Sequence, residues 1–216
     1  MKLGTDGVLL GAWARLPYPG ASAAIDAGAG CGIVALMLAQ RFPALTVTAV
    51  ECDAGACADA ADNFAASPWP GRLHLRHESF AVTTACTDMI VSNPPFFLTG
   101  EHAPRQSRAA ARHADTLSPF TLIDSATSLL RPGGSLSFIS PADQLDDIVE
   151  HAAFARLHLR RRCMVSTTET KPPRRILWEF GTADGPVEYT SLTLRCPDGS
   201  RHPDYITLCK NFYLND

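Results

Sequence analysis

The sequence predicts an α/β fold built on a doubly wound, mostly parallel sheet. Three observations carry that prediction. Short apolar runs alternate with helical stretches from Ala23 to about residue 156. A glycine-rich turn, Gly28-Ala29-Gly30-Cys31-Gly32, follows the first run and opens a helix. The run Met89-Ile90-Val91 stops at Asn93-Pro94-Pro95, where two prolines forbid a helical continuation.

Composition sets the outer bounds. The chain has 216 residues, 46% hydrophobic and 19% charged, which suits one globular domain with a substantial core. Residues 1–216 read as a single domain without repeats or low-complexity linkers. The net charge is -3, so a nucleic-acid partner would have to meet local basic patches and not a basic whole. No apolar run is long enough to span a bilayer, and Met1-Lys2-Leu3-Gly4 does not read as a signal peptide. A cytoplasmic location is expected. The seven cysteines are odd in number and form no C-x-x-C pair. They read as reduced fillers and not as disulfides or zinc ligands, and no metal is expected.

Taken in order, Thr5 or Asp6 suits a helix N-cap before the apolar run from Val8. Residues 16–20 form a Pro-rich break, and Ala23-Ala24-Ile25 a short buried strand. A helix from Ile33 ends at Arg41, before Pro43. A second strand runs from Thr46 to Glu51. Asp53 suits the cap of a helix over 54–66, and residues 67–71 break the chain. Residues 73–76 form a third strand, followed by His77-Glu78-Ser79. After the Asn93 corner comes a polar stretch, 99–115, with Arg105, Arg108, Arg112 and His113. A helix over 119–130, a Pro132-Gly133-Gly134 turn, a strand over 135–139 and a helix over 143–155 follow. The segments 157–165, 175–180 and 189–195 read as strands joined without helices, an antiparallel edge on a parallel sheet. A terminal helix is expected over 203–213.

Two stretches carry chemistry. Glycines let backbone approach a ligand closely, and Glu51 ends the next strand where an acid would grip ribose hydroxyls. Tight strand–helix packing is the plainer reading of the glycines. The second stretch is the corner. Its Asn93 side-chain oxygen and Pro94 carbonyl could each accept a hydrogen bond from an exocyclic NH2, while Phe96 stacks on the ring that carries it. That arrangement would orient the nitrogen and stabilise developing charge without a strong base. The plainer reading is a simple Asn-Pro turn.

With these stretches in hand, the chain resembles the class I S-adenosylmethionine-dependent methyltransferases. Asp26-Ala27-Gly28-Ala29-Gly30-Cys31-Gly32 is similar to their cofactor motif, and Asn93-Pro94-Pro95-Phe96 to their amino-group motif. The closer resemblance is to the bacterial tRNA(Val) adenine N6-methyltransferases. It runs over almost the whole chain, through residues 2–13, Leu36-Met37-Leu38-Ala39-Gln40-Arg41, Asn63 with Ser67-Pro68-Trp69, and Phe212-Tyr213-Leu214. The resemblance implies a Rossmann-like fold, a mostly parallel seven-stranded sheet with an antiparallel edge hairpin. It implies transfer of a methyl group from S-adenosylmethionine to N6 of the adenine just 3′ of the anticodon, position 37.

Carried over by resemblance, Asp26, Gly28 and Gly30 would line the methionine end of the cofactor, Glu51 with Cys52 the ribose, and Glu78 or Ser79 its adenine. That last pair stands where the family usually has Asp. Thr5 and Asp6 would close over the cofactor, and an ordinary helix cap is their plainer reading. Asn93, Pro94 and Phe96 would hold the target base, and Asn93 would also lie among the cofactor-binding residues. The expected partner is tRNA, with no obligate protein partner. Three basic groups are candidates for its phosphates: Arg105/Arg108/Arg112, Arg160/Arg161/Arg162 and Lys171/Arg174/Arg175. The first is preferred for its place beside the corner, the others reading as solvated faces, and His113 reads as structural. Other acceptors presented to the same corner, the guanine N2 amine of RNA or a protein glutamine amide, remain open. So, more remotely, does a non-catalytic RNA-binding role.

Overall fold

In the structure, a computed structural model describing residues 4–95 and 117–213, the apolar runs pair edge to edge. The strands are β1 (Ala23–Ala27), β2 (Thr46–Glu51), β3 (Leu73–His77), β4 (Thr87–Ser92), β5 (Leu130–Pro141), β6 (His158–Ser166), β7 (Arg175–Gly181) and β8 (Glu188–Thr193). They form one sheet in the order β3-β2-β1-β4-β5-β7-β6-β8. β1 to β5 are mutually parallel, and β7 is antiparallel to both of its neighbours.

The helices are α1 (Thr5–Trp13), α2 (Ile33–Arg41), α3 (Ala54–Ala66), α4 (Pro119–Leu129), α5 (Leu145–Phe154) and α6 (Pro203–Cys209). Successive strand residues face opposite sides, so the central strands feed two cores. Met89 and Val91 join α1, α2, α3 and α6 on one face, while Ile90 joins α4 and α5 on the other. Those two layers account for the unbroken burial of β4.

The sheet departs from the expectation at its edge. Among the described residues it has eight strands, not seven, and the outermost is no hairpin arm: β8 runs parallel to β6. Side chains favour that register. The Arg162 guanidinium lies 4.7 Å over the Tyr189 ring, Arg161 Nε reaches Glu188 at 3.6 Å, and Leu192 is buried. The antiparallel element is β7, inserted between β5 and β6.

Smaller differences have local causes. α1 is capped by Gly4 without a side-chain bond, not by Thr5 or Asp6, because Asp6 lies inside the first turn and bonds elsewhere. Pro132-Gly133-Gly134 forms a bulge within β5, which rejoins the ladder at Leu130 opposite Thr87. A Cβ on Gly134 would come within 2.8 Å of the Asp88 and Arg131 carbonyls. α6 stops at Cys209, where the Phe212 amide turns back to the Cys209 carbonyl.

At the amino edge of the sheet, Asp88 is 3% exposed and fastens three segments. It accepts from Tyr18 Oη at 2.6 Å, the Ser22 and Ala23 amides and Arg131 Nη1 at 2.8 Å. Burial pushes its pKa up. The bonds from Tyr18, Ser22, Arg131 and Ala23 outweigh that and hold the carboxyl well below the usual range.

Candidate active site

The parallel strands release the chain at the carboxyl edge of the sheet. A cleft of about 1100 Å³ lies there. It sits where β1 has β2 on one side and β4 on the other, the switch point of a doubly wound sheet. The turns after β1, β2, β3 and β4 line it, with the start of α1 and one face of α4.

Asn93 leaves the end of β4, which Ser92 Oγ clamps to β1 through the Ala27 carbonyl at 2.8 Å. Asn93, Pro94 and Pro95 all line the cleft. The Asn93 Oδ1 is buried and, among the described residues, has no hydrogen-bond partner. An unsatisfied buried acceptor costs about 1–3 kcal/mol, so a ligand N–H arriving there would relieve the cost. α1 backs the corner: a Cβ on Gly7 would lie 3.8 Å from Asn93 Nδ2. Phe96 lies outside the described residues, as do Arg105, Arg108, Arg112 and His113.

The glycine turn is held by hydrogen bonds and by its own conformation. Gly28, Gly30 and Gly32 all have positive φ, at 65, 56 and 81°. The Gly28 amide donates to the Val50 carbonyl at 2.9 Å and the Gly30 amide to Glu51 Oε2 at 2.8 Å. A Cβ on Gly32 would collide with the Phe64 ring. Gly28 and Gly30 line the cleft; Asp26 is not among its lining residues. Asp26 is 1% exposed, and its Oδ2 accepts from the Ala35 amide at 3.0 Å. The reason is capping. Gly32 precedes α2 with no side chain to offer, and Asp26 reaches from β1 to satisfy a first-turn amide. Burial pushes the Asp26 pKa up to about 7, against the Ala35 bond and helped by the nearby Glu51 charge.

Glu51 lines the cleft and fastens it. Oε2 accepts from Gly30, and Oε1 accepts from the Cys52 and Asp53 amides, both at 2.9 Å. A carboxylate offers about four acceptor sites, so capacity for a hydroxyl remains. Cys52 also lines the cleft; partial burial and the Glu51 charge push its thiol pKa up. Glu78 and Ser79 both reach the cleft. Glu78 Oε1 accepts from Thr83 Oγ1 at 3.2 Å and sits 3.5 Å from Arg76 Nη1. Ser79 caps the short turn Phe80–Val82. Thr5 and Asp6 line the opposite rim, and Asp6 Oδ2 accepts from Arg175 Nε at 3.0 Å.

Sequence reasoning missed part of the lining. Asp53 was expected only to cap α3, which it does, accepting from the Ala56 amide; it also lines the cleft with Asp59. Leu117, Thr121 and Ser125 form another wall. Thr121 and Ser125, four apart, share one face of α4, which was the available signal, while Leu117 precedes its cap. The described lining carries five carboxylates, Asp6, Glu51, Asp53, Asp59 and Glu78, and no Lys or Arg. A cleft so charged favours a cationic ligand.

The comparisons with known proteins agree with this geometry. Residues 13–147 match the family model described as "Methyltransferase small domain". A Vibrio vulnificus (strain YJ016) protein described as tRNA1(Val) (adenine(37)-N6)-methyltransferase is 39% identical, over 99% of this chain and 89% of that protein. A Porphyromonas gingivalis (strain ATCC 33277) protein of the same description is 40% identical over the same shares. Among solved structures, a predicted O-methyltransferase from Agrobacterium tumefaciens matches with a TM-score of 0.75 at 16% identity, covering 98% of each chain. A methyltransferase from Pyrococcus furiosus matches with a TM-score of 0.56 at 19% identity, over 76% of this chain and 77% of that one. At these identities the solved structures share the fold. On the sequence relatives and the family model together, this chain belongs to the tRNA1(Val) (adenine(37)-N6)-methyltransferase family.

Proposed function

We propose that this chain transfers a methyl group from S-adenosylmethionine to N6 of an adenine in tRNA, adenine 37 of a valine tRNA. The observation that carries the reading is the buried Asn93 Oδ1 at the cleft, which has no hydrogen-bond partner among the described residues. It is an acceptor set where an exocyclic amine has protons to give.

The cleft suits the cofactor. Its glycine turn leaves room for close backbone approach, Glu51 keeps acceptor capacity for a ribose hydroxyl, and five carboxylates favour a net positive ligand. When bound, S-adenosylmethionine supplies an electrophilic methyl on a sulfonium. The residues of this chain orient and stabilise. Asn93 Oδ1 accepts a hydrogen bond from one N–H of the target amine and the Pro94 carbonyl from the other, which directs the nitrogen lone pair and favours the positive charge that develops there; the extra proton of the methylated amine then passes to solvent. Neither group takes a proton away. Pro94 and Pro95 lock successive φ angles, so the two acceptors are set before the base arrives. Phe96 stacks on the flipped base, offsetting about 1–3 kcal/mol of the unstacking cost. Arg105, Arg108 and Arg112 meet the RNA backbone beside the corner. The chain acts in the cytoplasm; no described helix is long and apolar enough to cross a membrane.

Asn93→Ala tests the reading. Affinity for S-adenosylmethionine, measured by calorimetry, is expected to stay within about twofold. Single-turnover methylation of tRNA is expected to fall roughly a hundredfold or more, the scale of losing one preorganised polar group. A wild-type rate in the variant, or loss of cofactor affinity in step with the rate, overturns it.

A further inference from the structure

The described cleft lining carries no Lys or Arg, so among the described residues cations for RNA phosphates are sought around it. The structure separates two of the basic groups that the sequence leaves equivalent. Arg160, Arg161 and Arg162 are engaged. Arg161 is 8% exposed, 3.1 Å from Glu179 and 3.9 Å over the Trp13 ring. Arg162 lies over Tyr189, and the Arg160 guanidinium folds against Gly185 and donates to the Ala183 carbonyl.

Residues 167–174, between β6 and β7, are different. β6 and β5 are both antiparallel to β7, so this loop leaves β6 at the same edge of the sheet as the Asn93 corner. It is tightly built. The Lys171 amide donates to the Thr168 carbonyl at 3.1 Å and the Arg174 amide to the Val165 carbonyl at 2.9 Å. The Arg174 carbonyl accepts from the Ala142 amide at 3.2 Å, just beyond β5. Pro172 and Pro173 fix two φ angles between the basic residues. The loop's acid, Glu169, is turned to His202 at 3.4 Å. Lys171 and Arg174 are exposed, and among the described residues neither has an ionic partner.

A short chain of contacts connects this loop to the site. Asn93 packs beside Gly7; Asp6, next to Gly7, lines the cleft and holds Arg175 at 3.0 Å; Arg175 adjoins Arg174. We propose that residues 167–174 form a docking rim for the RNA backbone that flanks the target base, with Lys171 and Arg174 meeting its phosphates. The inference rests on the tRNA reading above and assigns a contact surface on residues remote in sequence from Arg105, Arg108 and Arg112. Rigid backbone and paired cations suit phosphates whose spacing is set by a folded RNA.

The test is the double variant Lys171→Ala/Arg174→Ala, both positions being exposed. Binding of unmodified valine tRNA is measured over a series of salt concentrations, with calorimetry of S-adenosylmethionine alongside. The tRNA Kd is expected to rise roughly tenfold at low salt, and the slope of log affinity against log salt to fall by about 1.4–1.8, two contacts at about 0.7–0.9 each. Cofactor affinity and the single-turnover rate at saturating tRNA are expected to stay unchanged. Lys171→Arg/Arg174→Lys, which keeps the charge, is expected to retain wild-type binding. An unchanged tRNA Kd and slope in a variant that binds cofactor overturns the rim. So does cofactor affinity that falls together with tRNA affinity, since the loop would then act through Arg175 and Asp6. Wild-type protein that methylates tRNA while the variant keeps its slope sinks this inference alone; wild-type protein that binds no tRNA sinks the functional reading with it.

Discussion

Glu51 joins two jobs in one carboxylate: it accepts three backbone N–H bonds and lines the cleft. Glu51→Ala is expected to weaken S-adenosylmethionine binding by about 1.5–3 kcal/mol, the worth of charge-assisted hydrogen bonds, and calorimetry reads it directly. Unchanged affinity removes Glu51 from the site. Asp26 leads to a pH dependence. Its folded pKa is raised to about 7 from an ordinary value near 4, so between those values the folded state binds the extra proton. The contribution is therefore most favourable below pH 4 and is lost as pH rises through 7. Asp26→Asn keeps an oxygen acceptor for the Ala35 amide and carries no charge. The wild type is expected to lose on the order of 2–4 kcal/mol of stability between pH 5 and 8 through this group, and the variant to lack that fall, as urea unfolding at both pH values would show. Parallel profiles would contradict it. Glu51 was legible because an acid ending the second strand is a local signal. The turn of Asp26 into α2 was not, because the need arises from Gly32, six residues away, which has no cap to give.

At the scale of elements, the glycine turn and α3 are shaped to each other. Gly32 has φ 81°, and its Cα faces the Phe64 ring closely enough that a methyl overlaps it. Gly32→Ala is expected to cost roughly 2–4 kcal/mol, strain in the left-handed region plus overpacking, visible as a lower urea midpoint. Asp88 makes a matching claim at the other edge of the sheet. Asp88→Ala leaves Arg131, Tyr18 and two amides without their acceptor, and a loss of about 3–5 kcal/mol is expected by the same measurement. Most elements were readable from period and punctuation. α2 stops where Pro43 requires, and α3 starts at Asp53 as its cap. The failures share a cause. Whether residues 188–193 pair parallel or antiparallel is decided by Arg161, Arg162 and Leu192 meeting across strands, and the start of β5 by a bulge over Asp88. Both are tertiary facts that a local pattern does not encode.

At the scale of the molecule, the parallel order places four strand ends and the α1 turn around one cleft whose described lining is acidic and holds no Lys or Arg. A net charge of -3 is compatible with the proposed local surface for RNA. The fold alone does not select the acceptor, because an amine, a guanine N2 or a glutamine amide could each present protons to Asn93. The most direct measurement is methylation of unmodified valine tRNA by the purified protein with labelled S-adenosylmethionine, followed by nucleoside identification by mass spectrometry. The expected result is N6-methyladenosine at position 37, abolished by an adenine-to-guanine change there. Label recovered in N2-methylguanosine, or in protein and not in RNA, would contradict the account.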